Sequence, residues 1–288
     1  MEEHVRRFAD EGYTIIGGIF SDTELRRMRA ALANVEAKVI ADPSAFETRY
    51  TANEGATVDT WGVNHVLAPD LYDYAFAEVY EKALLMDFVH AVLGERLRFW
   101  GGHALWAPRV KNYELNWHRD HGDDDVYHPS GETTHIYFNI CLLADSCFRL
   151  VPGSHRRPLT PAEADQQKAK GFAALPGEVI AQCRPGDVLF VNAHSLHRGS
   201  CRVGTDRQTL HMSLQPYDEP TGGHLSWGFM RQEGYVDQLP PAVRELMRNA
   251  IEWDDNHPLS LAEMRRRLRL KREHKKNRAT DDASGGSR

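Results

Sequence analysis

Apolar positions recur along this chain with two different periods, and the change between them divides it near residue 96. Ahead of that point the period is helical. Leu25, Met28, Leu32 and Val35 fall on one face of a helix. It is opened by Ser21-Asp22-Thr23-Glu24, where the serine hydroxyl and the glutamate three positions on satisfy free N–H groups of the first turn. A shorter helix over residues 2–10 leads into a strand over 12–18. Residues 71–94 read as two helical segments with Ala75, Val79, Leu84, Phe88 and Val92 inward. Residues 44–66 show neither period and read as a long irregular stretch. Loops of that length in a compact domain are usually functional or disordered. Its aromatics and Arg49 suit a substrate lid, a packed surface loop being the other reading.

From Leu97 onward the spacing is that of strands. Short runs at 98–100 and 104–106 lead to an extended 113–117, and further strands follow at 134–142, 188–191 and 207–214. One helix interrupts them over 160–171, opened by Thr160-Pro161-Ala162-Glu163 as a second capping box. Beyond Pro216 the strand pattern fades. Helices are expected over 241–253 and 260–276, with a loop at 222–229 whose aromatics border a pocket and a disordered tail over 281–288. Helices that come first and strands that come late predict a mainly β fold with flanking helices, a double-stranded β-helix or jelly-roll of the cupin-like kind. A single domain over 1–280 is expected, with N-terminal helices in 1–95, the jelly-roll core at about 96–216 and C-terminal helices in 240–278.

Charge narrows the partners. The net charge is −6, but residues 265–278 carry a local +8, which leaves about −14 on the remainder. An acidic body argues against nucleic acid as the main partner and offers no basic groove for the phosphates of an acyl-CoA. The basic helix reads as a solvated face, or as a docking face for an acidic partner or lipid. No apolar run approaches the roughly 18 residues a membrane helix needs, and the first residues lack an apolar signal core, so a cytoplasmic location is expected. Cys141, Cys147, Cys183 and Cys201 lack metal-site spacing and read as reduced thiols.

The chemistry concentrates at Asn116-Trp117-His118-Arg119-Asp120. On extended backbone a His-x-Asp pair sends an imidazole and a carboxylate to the same side. A second imidazole from a distant strand, His197, completes two histidines and one carboxylate, the facial ligand set that leaves positions open on Fe(II). His197 lies in His194-Ser195-Leu196-His197, after the turn Arg184-Pro185-Gly186-Asp187 and the apolar run Val188-Leu189-Phe190-Val191. Arg207, Thr209 and His211 share one face of the next strand. An arginine there suits the far carboxylate of a dicarboxylate, because its planar fork pairs bidentately. Tyr137 and Asn139 share a face that would look into the same site, either as cosubstrate ligands or as satisfied core polar groups. The carboxylates and histidines of 121–128 would meet a cationic substrate or simply solvate a loop.

Taken together, Trp117-His118-Arg119-Asp120, Leu150-Val151-Pro152-Gly153-Ser154-His155-Arg156, Pro185-Gly186-Asp187, His197 and Arg207 resemble the phytanoyl-CoA dioxygenase family of Fe(II)/2-oxoglutarate-dependent oxygenases. The resemblance covers roughly residues 95–216 and implies the jelly-roll fold. It implies Fe(II) on His118, Asp120 and His197, 2-oxoglutarate held at its C5 carboxylate by Arg207, and O₂ as oxidant. It favours His197 over His194 as ligand, because the arginine lies ten residues on. Two departures stand out. Gly199 occupies a position that often carries a hydroxyl, which Thr209 would replace, and Asp145-Ser146-Cys147-Phe148 stands where Glu-Asn-Gly-Cys is usual. The expected activity is oxidation, by default hydroxylation, of a small metabolite or natural-product intermediate. Asp120 in the carboxylate position argues against a halogenase. The rival readings are a redox-neutral metalloenzyme with Zn(II) on the same residues, and a ligand-binding barrel without turnover.

Overall fold

A computed structural model describes residues 1–53, 56–120, 133–219, 227–258, 260 and 262. In chain order the elements are α1 (Glu2–Glu11), β1 (Tyr13–Ile16), α2 (Asp22–Ala41), β2 (Thr48–Asn53), β3 (Ala56–Asn64), α3 (Tyr74–Ala77), α4 (Ala83–Leu93), β4 (Leu97–Trp106) and β5 (Tyr113–Glu114). There follow β6 (Ile136–Cys141), β7 (Asp145–Leu150), α5 (Pro161–Lys168), β8 (Val179–Cys183), β9 (Val188–Asn192), β10 (His197–Cys201), β11 (Gln208–Pro216) and α6 (Pro241–Asn256). Strands β4 to β11 divide between two antiparallel sheets. One contains the order β9-β6-β11-β4 and the other β5-β10-β7-β8, which is the winding of a double-stranded β-helix. Tyr137, Leu189 and Val191 of the first sheet pack with Leu150, Ala181 and Cys183 of the second, so the sheets lie face to face.

The larger sheet reaches beyond these eight strands. Strand β1 adds to its β9 edge, and the β2–β3 hairpin adds to its β4 edge. The expected irregular stretch over 44–66 is therefore corrected to a hairpin. Its alternation is hidden because the register shifts twice, between Arg49 and Tyr50 and between Thr51 and Ala52. Each shift moves later side chains to the opposite face. Likewise β4 is one ten-residue strand, not two short ones. Gly101 and Gly102 lie mid-strand where β11 comes close, since a Cβ at Gly102 would stand 2.9 Å from Met212 Sδ.

Helices cover the outer face of the large sheet. Helix α2 starts at the expected capping box, with both reciprocal bonds formed, and buries Leu25, Met28, Leu32 and Val35. Helix α4 buries Leu85, Phe88, Val89 and Leu93, while Leu84 is exposed, contrary to expectation. Starting the helix at Ala83 sets its phase one residue later. Helix α6 packs on β4. Under these helices lie Ala104, Trp106, Ile136, Phe138, Ile140, Leu210, Met212 and Leu214. No helix among the described residues is long and apolar enough to cross a membrane. The acidic loop with His121 and His128, residues 222–226, the basic segment over 265–278 and the tail over 281–288 lie outside the described residues.

Candidate metal centre and the pocket around it

Beyond β5 the chain stays extended, and His118 forms an isolated antiparallel bridge with His197 at the start of β10. Each donates its backbone N–H to the other's carbonyl, at 3.0 and 2.9 Å. The bridge brings the two rings to a 4.5 Å centroid separation. Two residues on, Asp120 donates its own N–H to the Ala193 carbonyl. Period-two alternation then separates roles. Trp117 and Arg119 are buried and tie the strand down through the carbonyls of Ala173, Ser154 and Arg157, while His118 and Asp120 face the pocket.

Backbone carbonyls also orient both imidazoles. Nδ1 of His118 lies 2.7 Å from the Asn116 carbonyl and Nδ1 of His197 lies 2.9 Å from that of Ser195. Each Nδ1–H donates to the residue two before it, which leaves each Nε2 lone pair as the metal-facing atom. The Nε2 atoms stand 3.5 and 3.1 Å from the two oxygens of Asp120. One ligand atom from each of the three residues lies within 4.8 Å of the others. Burial would push the Asp120 carboxyl up, but His197 and His118 hold it well below the usual carboxylate range. Two imidazole Nε2 atoms and an ionised carboxylate converging on one point fit a divalent transition metal. Phe148 stacks on His197 at 5.1 Å and limits its rotation.

The inner face of the large sheet supplies the rest. Tyr137 hydrogen-bonds to Asp120, and burial together with that carboxylate pushes its phenol well above the ordinary value. Asn139 accepts from His211 Nδ1 at 2.6 Å. Arg207 is buried and donates from Nε to Asp145 at 2.8 Å and from Nη1 to the Tyr113 hydroxyl, while Nη2 makes no hydrogen bond among the described residues. Burial first, and the charge of Arg49 second, lower the Arg207 guanidinium to about 9, which leaves it a cation at neutral pH. Thr209 donates to the same Asp145 oxygen at 2.6 Å. Asp145, on the segment that departs from the family pattern, thus takes up hydrogen-bonding capacity that sequence reasoning assigned to a cosubstrate.

Sequence reasoning missed Asp145, Tyr113, Asn64 and His103 in this pocket. The signal for His103 is its register opposite His211 on β11, which only tertiary pairing reveals. His194, the rival ligand, is buried with Nε2 on the Thr134 hydroxyl at 2.7 Å and is not among the converging residues. His155 is structural, its Nε2 donating to the Ala9 carbonyl at 3.0 Å. Trp227 and Phe229, at the end of the aromatic loop, pack on His65 at 4.3 and 5.6 Å.

Comparison with known proteins adds three findings. A curated relative, the probable alpha-ketoglutarate-dependent hypophosphite dioxygenase of Stutzerimonas stutzeri, is 25% identical over 160 residues, 54% of this chain and 53% of the relative. The chain thus spans about half the length of that relative. Among solved structures, AviO1 from Streptomyces viridochromogenes Tue57 aligns with a TM-score of 0.58 at 19% identity, over 76% of this chain and 96% of the other. EctD from S. alaskensis, solved with 2-oxoglutarate and 5-hydroxyectoine, aligns with 0.57 at 18% identity over 77% and 78%. HygX from Streptomyces hygroscopicus, solved with nickel and 2-oxoglutarate, aligns with 0.54 at 19% identity over 75% and 87%. At these identities the structural likeness speaks for the fold. The sequence pattern of the phytanoyl-CoA dioxygenase family matches residues 8–207, well over half of the chain. The chain belongs to the phytanoyl-CoA dioxygenase family.

Proposed function

We propose that this protein is an Fe(II)- and 2-oxoglutarate-dependent dioxygenase that oxidises a small molecule, with residues 1–280 as one catalytic domain. The observation that carries the reading is the convergence of two Nε2 atoms and the Asp120 carboxylate, each imidazole locked in the ligating tautomer by a backbone carbonyl. Bound there, Fe(II) with 2-oxoglutarate and O₂ supplies a two-electron oxidation that couples cosubstrate decarboxylation, to succinate and CO₂, with oxidation of a substrate C–H bond. His118, Asp120 and His197 would hold the metal. Tyr137 fixes the Asp120 carboxylate by its hydrogen bond. Arg207 would anchor the C5 carboxylate through its Nη2 side, with Asp145, Thr209 and Tyr113 holding the guanidinium in place. Asn139, its Oδ1 engaged by His211 Nδ1, would offer its amide N–H groups to the cosubstrate. HygX and EctD have been solved with hygromycin B and 5-hydroxyectoine respectively, which supports a small-molecule substrate here, with hydroxylation as the default outcome.

The test is an anaerobic titration of metal-free protein with Fe(II) and then 2-oxoglutarate, following the visible metal-to-ligand charge-transfer band. The band should form in the parent protein and vanish in His118→Ala. In Arg207→Ala it should need at least about tenfold more cosubstrate. A folded, Fe(II)-loaded protein without the band would overturn the reading and favour redox-neutral metal chemistry or a binding role.

A further inference from the structure

The β2–β3 hairpin brings a cation to the pocket. Arg49 pairs across the hairpin with Gly62, which pairs in turn with Leu105 of β4. A Cβ at Gly62 would stand 2.7 Å from the Ala104 carbonyl oxygen, 2.9 Å from Leu105 Cδ2 and 3.3 Å from Arg49 Cδ. Only glycine therefore leaves room for the arginine stem to cross the strand there. Arg49 Nε then donates to Asn64 Oδ1 at 2.9 Å, and Asn64 pairs in register with His103 of the next strand.

Three imidazoles share that corner. His103 stacks on His211 at 5.7 Å, and His65 meets His103 edge-on at 5.9 Å. His65 holds φ at 61°, a left-handed conformation that is strained for any residue with a Cβ. Glu47 fixes its Nε2 at 3.0 Å and Trp227 covers its ring. The Nδ1 atoms of both His65 and His103 are buried without a hydrogen-bond partner among the described residues. Buried polar atoms of this kind are satisfied by ordered water or by a ligand. The positive charge is felt in the chamber: burial first, and Arg49 next, push His103 well below its ordinary value and His211 down to about 3. His103 and His211 are thus neutral at physiological pH, and His211 already gives its Nδ1–H to Asn139.

We propose that Arg49, with a ring N–H of His103, forms a receptor for an oxyanion on the substrate, so that the substrate carries a carboxylate or phosphonate head group. This rests on the dioxygenase reading, which assigns the cosubstrate's far carboxylate to Arg207. Arg207 immediately precedes β11, which lies three strands from the β2 of Arg49 in the sheet order β11-β4-β3-β2, although the Arg49 charge still reaches it. A guanidinium and a neutral N–H donor suit an anion, and the guanidinium repels a cation.

The test uses the anaerobic Fe(II)·2-oxoglutarate complex, titrated with methylphosphonate, propionate and the neutral counterparts dimethyl methylphosphonate and propionamide. At least one anion should shift the charge-transfer band saturably while the neutral compounds do not, and the better anion identifies the head group. In Arg49→Gln the 2-oxoglutarate midpoint should hold within about twofold, while the anion midpoint rises at least about tenfold, with partial recovery in Arg49→Lys. A tenfold weakening of 2-oxoglutarate itself, an equal response to the neutral compounds or no response to either anion would overturn the proposal. If no band forms at all, the dioxygenase reading has failed separately. The receptor is then read in metal-free protein from tryptophan fluorescence, because Trp227 packs on His65. Quenching by either anion that Arg49→Gln abolishes supports it, and its absence refutes it.

Discussion

The two faces of the large sheet carry opposite chemistry on the same strands. On β4, β6 and β11 the outward residues are Ala104, Trp106, Ile136, Phe138, Ile140, Leu210, Met212 and Leu214, all buried under helices. The inward residues on the same strands include His103, Tyr137, Asn139, Thr209, His211 and Ser213, among which Thr209 and Ser213 are also fully buried. An alternating strand with one wet face is the ordinary antiparallel case. Here both faces are removed from bulk water, so the polar residues need protein or ligand partners in place of solvent. The outer face holds the fold together, and the inner face spends part of its burial on function.

That contrast is broken most severely on the outer face. Phe138→Ala empties a site between Tyr80 and Phe190, whose rings lie 6.2 and 5.9 Å from it. It should lose about 3–5 kcal/mol in urea unfolding, while the folded fraction binds Fe(II) as the parent does. His118→Ala should do the reverse. Metal affinity, measured by competition with a chromogenic chelator, should fall at least about 100-fold, while the unfolding free energy of the metal-free protein stays within about 1 kcal/mol. Equal stability losses in the two variants would dissolve the distinction between the faces. Thr209→Val is intermediate, because it removes one donor from the buried Asp145 that holds Arg207. It should cost about 1–3 kcal/mol and loosen 2-oxoglutarate binding as well.

How legible each face was follows from how locally it is written. His118 and Asp120 are two residues apart, and period two alone places them together. His197 was singled out over His194 only by the family resemblance, which expects an arginine ten residues after the ligand. The partner of Arg207 is another matter, because Asp145 is 62 positions away and meets it only when β7 of the small sheet faces β11 of the large one. The receptor corner was less legible still. Arg49 lies beside a bulge that destroys the alternation of β2, and His103 follows a Gly-Gly pair that reads as a break in the strand. Glycine signals a break in isolation, yet here it marks where another strand or a side chain passes close. The outer face was mostly readable because helical and strand periods report burial directly, and Leu84 failed only through a one-residue error in phase.

Acid separates the faces in pH rather than in magnitude alone. Burial, and then the Arg49 charge, set His211 at about 3 in the fold against an ordinary 6.5. Between those values the unfolded chain binds a proton that the native state refuses, so stability falls as pH drops from about 6.5 to about 3. Replacing this residue in His211→Gln should remove that component, and the difference between parent and variant should move across that window in metal-free protein. On the helical layer Glu24 is held at about 2 against 4.5, first by the Lys82 ammonium at 2.6 Å and then by Ser21. A depressed carboxylate stabilises above its unfolded value and loses that contribution as pH falls through the folded one. Glu24→Gln should therefore be slightly less stable than the parent at pH 7, with the deficit closing between about pH 4.5 and 2. Its effect is the smaller, because the pair lies near the surface and salt screens it. Urea midpoints measured at half-unit pH steps would resolve the two windows. If the His211 difference stayed flat between about pH 6.5 and 3, His211 would take up protons as readily in the fold as in the unfolded chain, and the inner-face imidazoles would not be held neutral as the receptor requires.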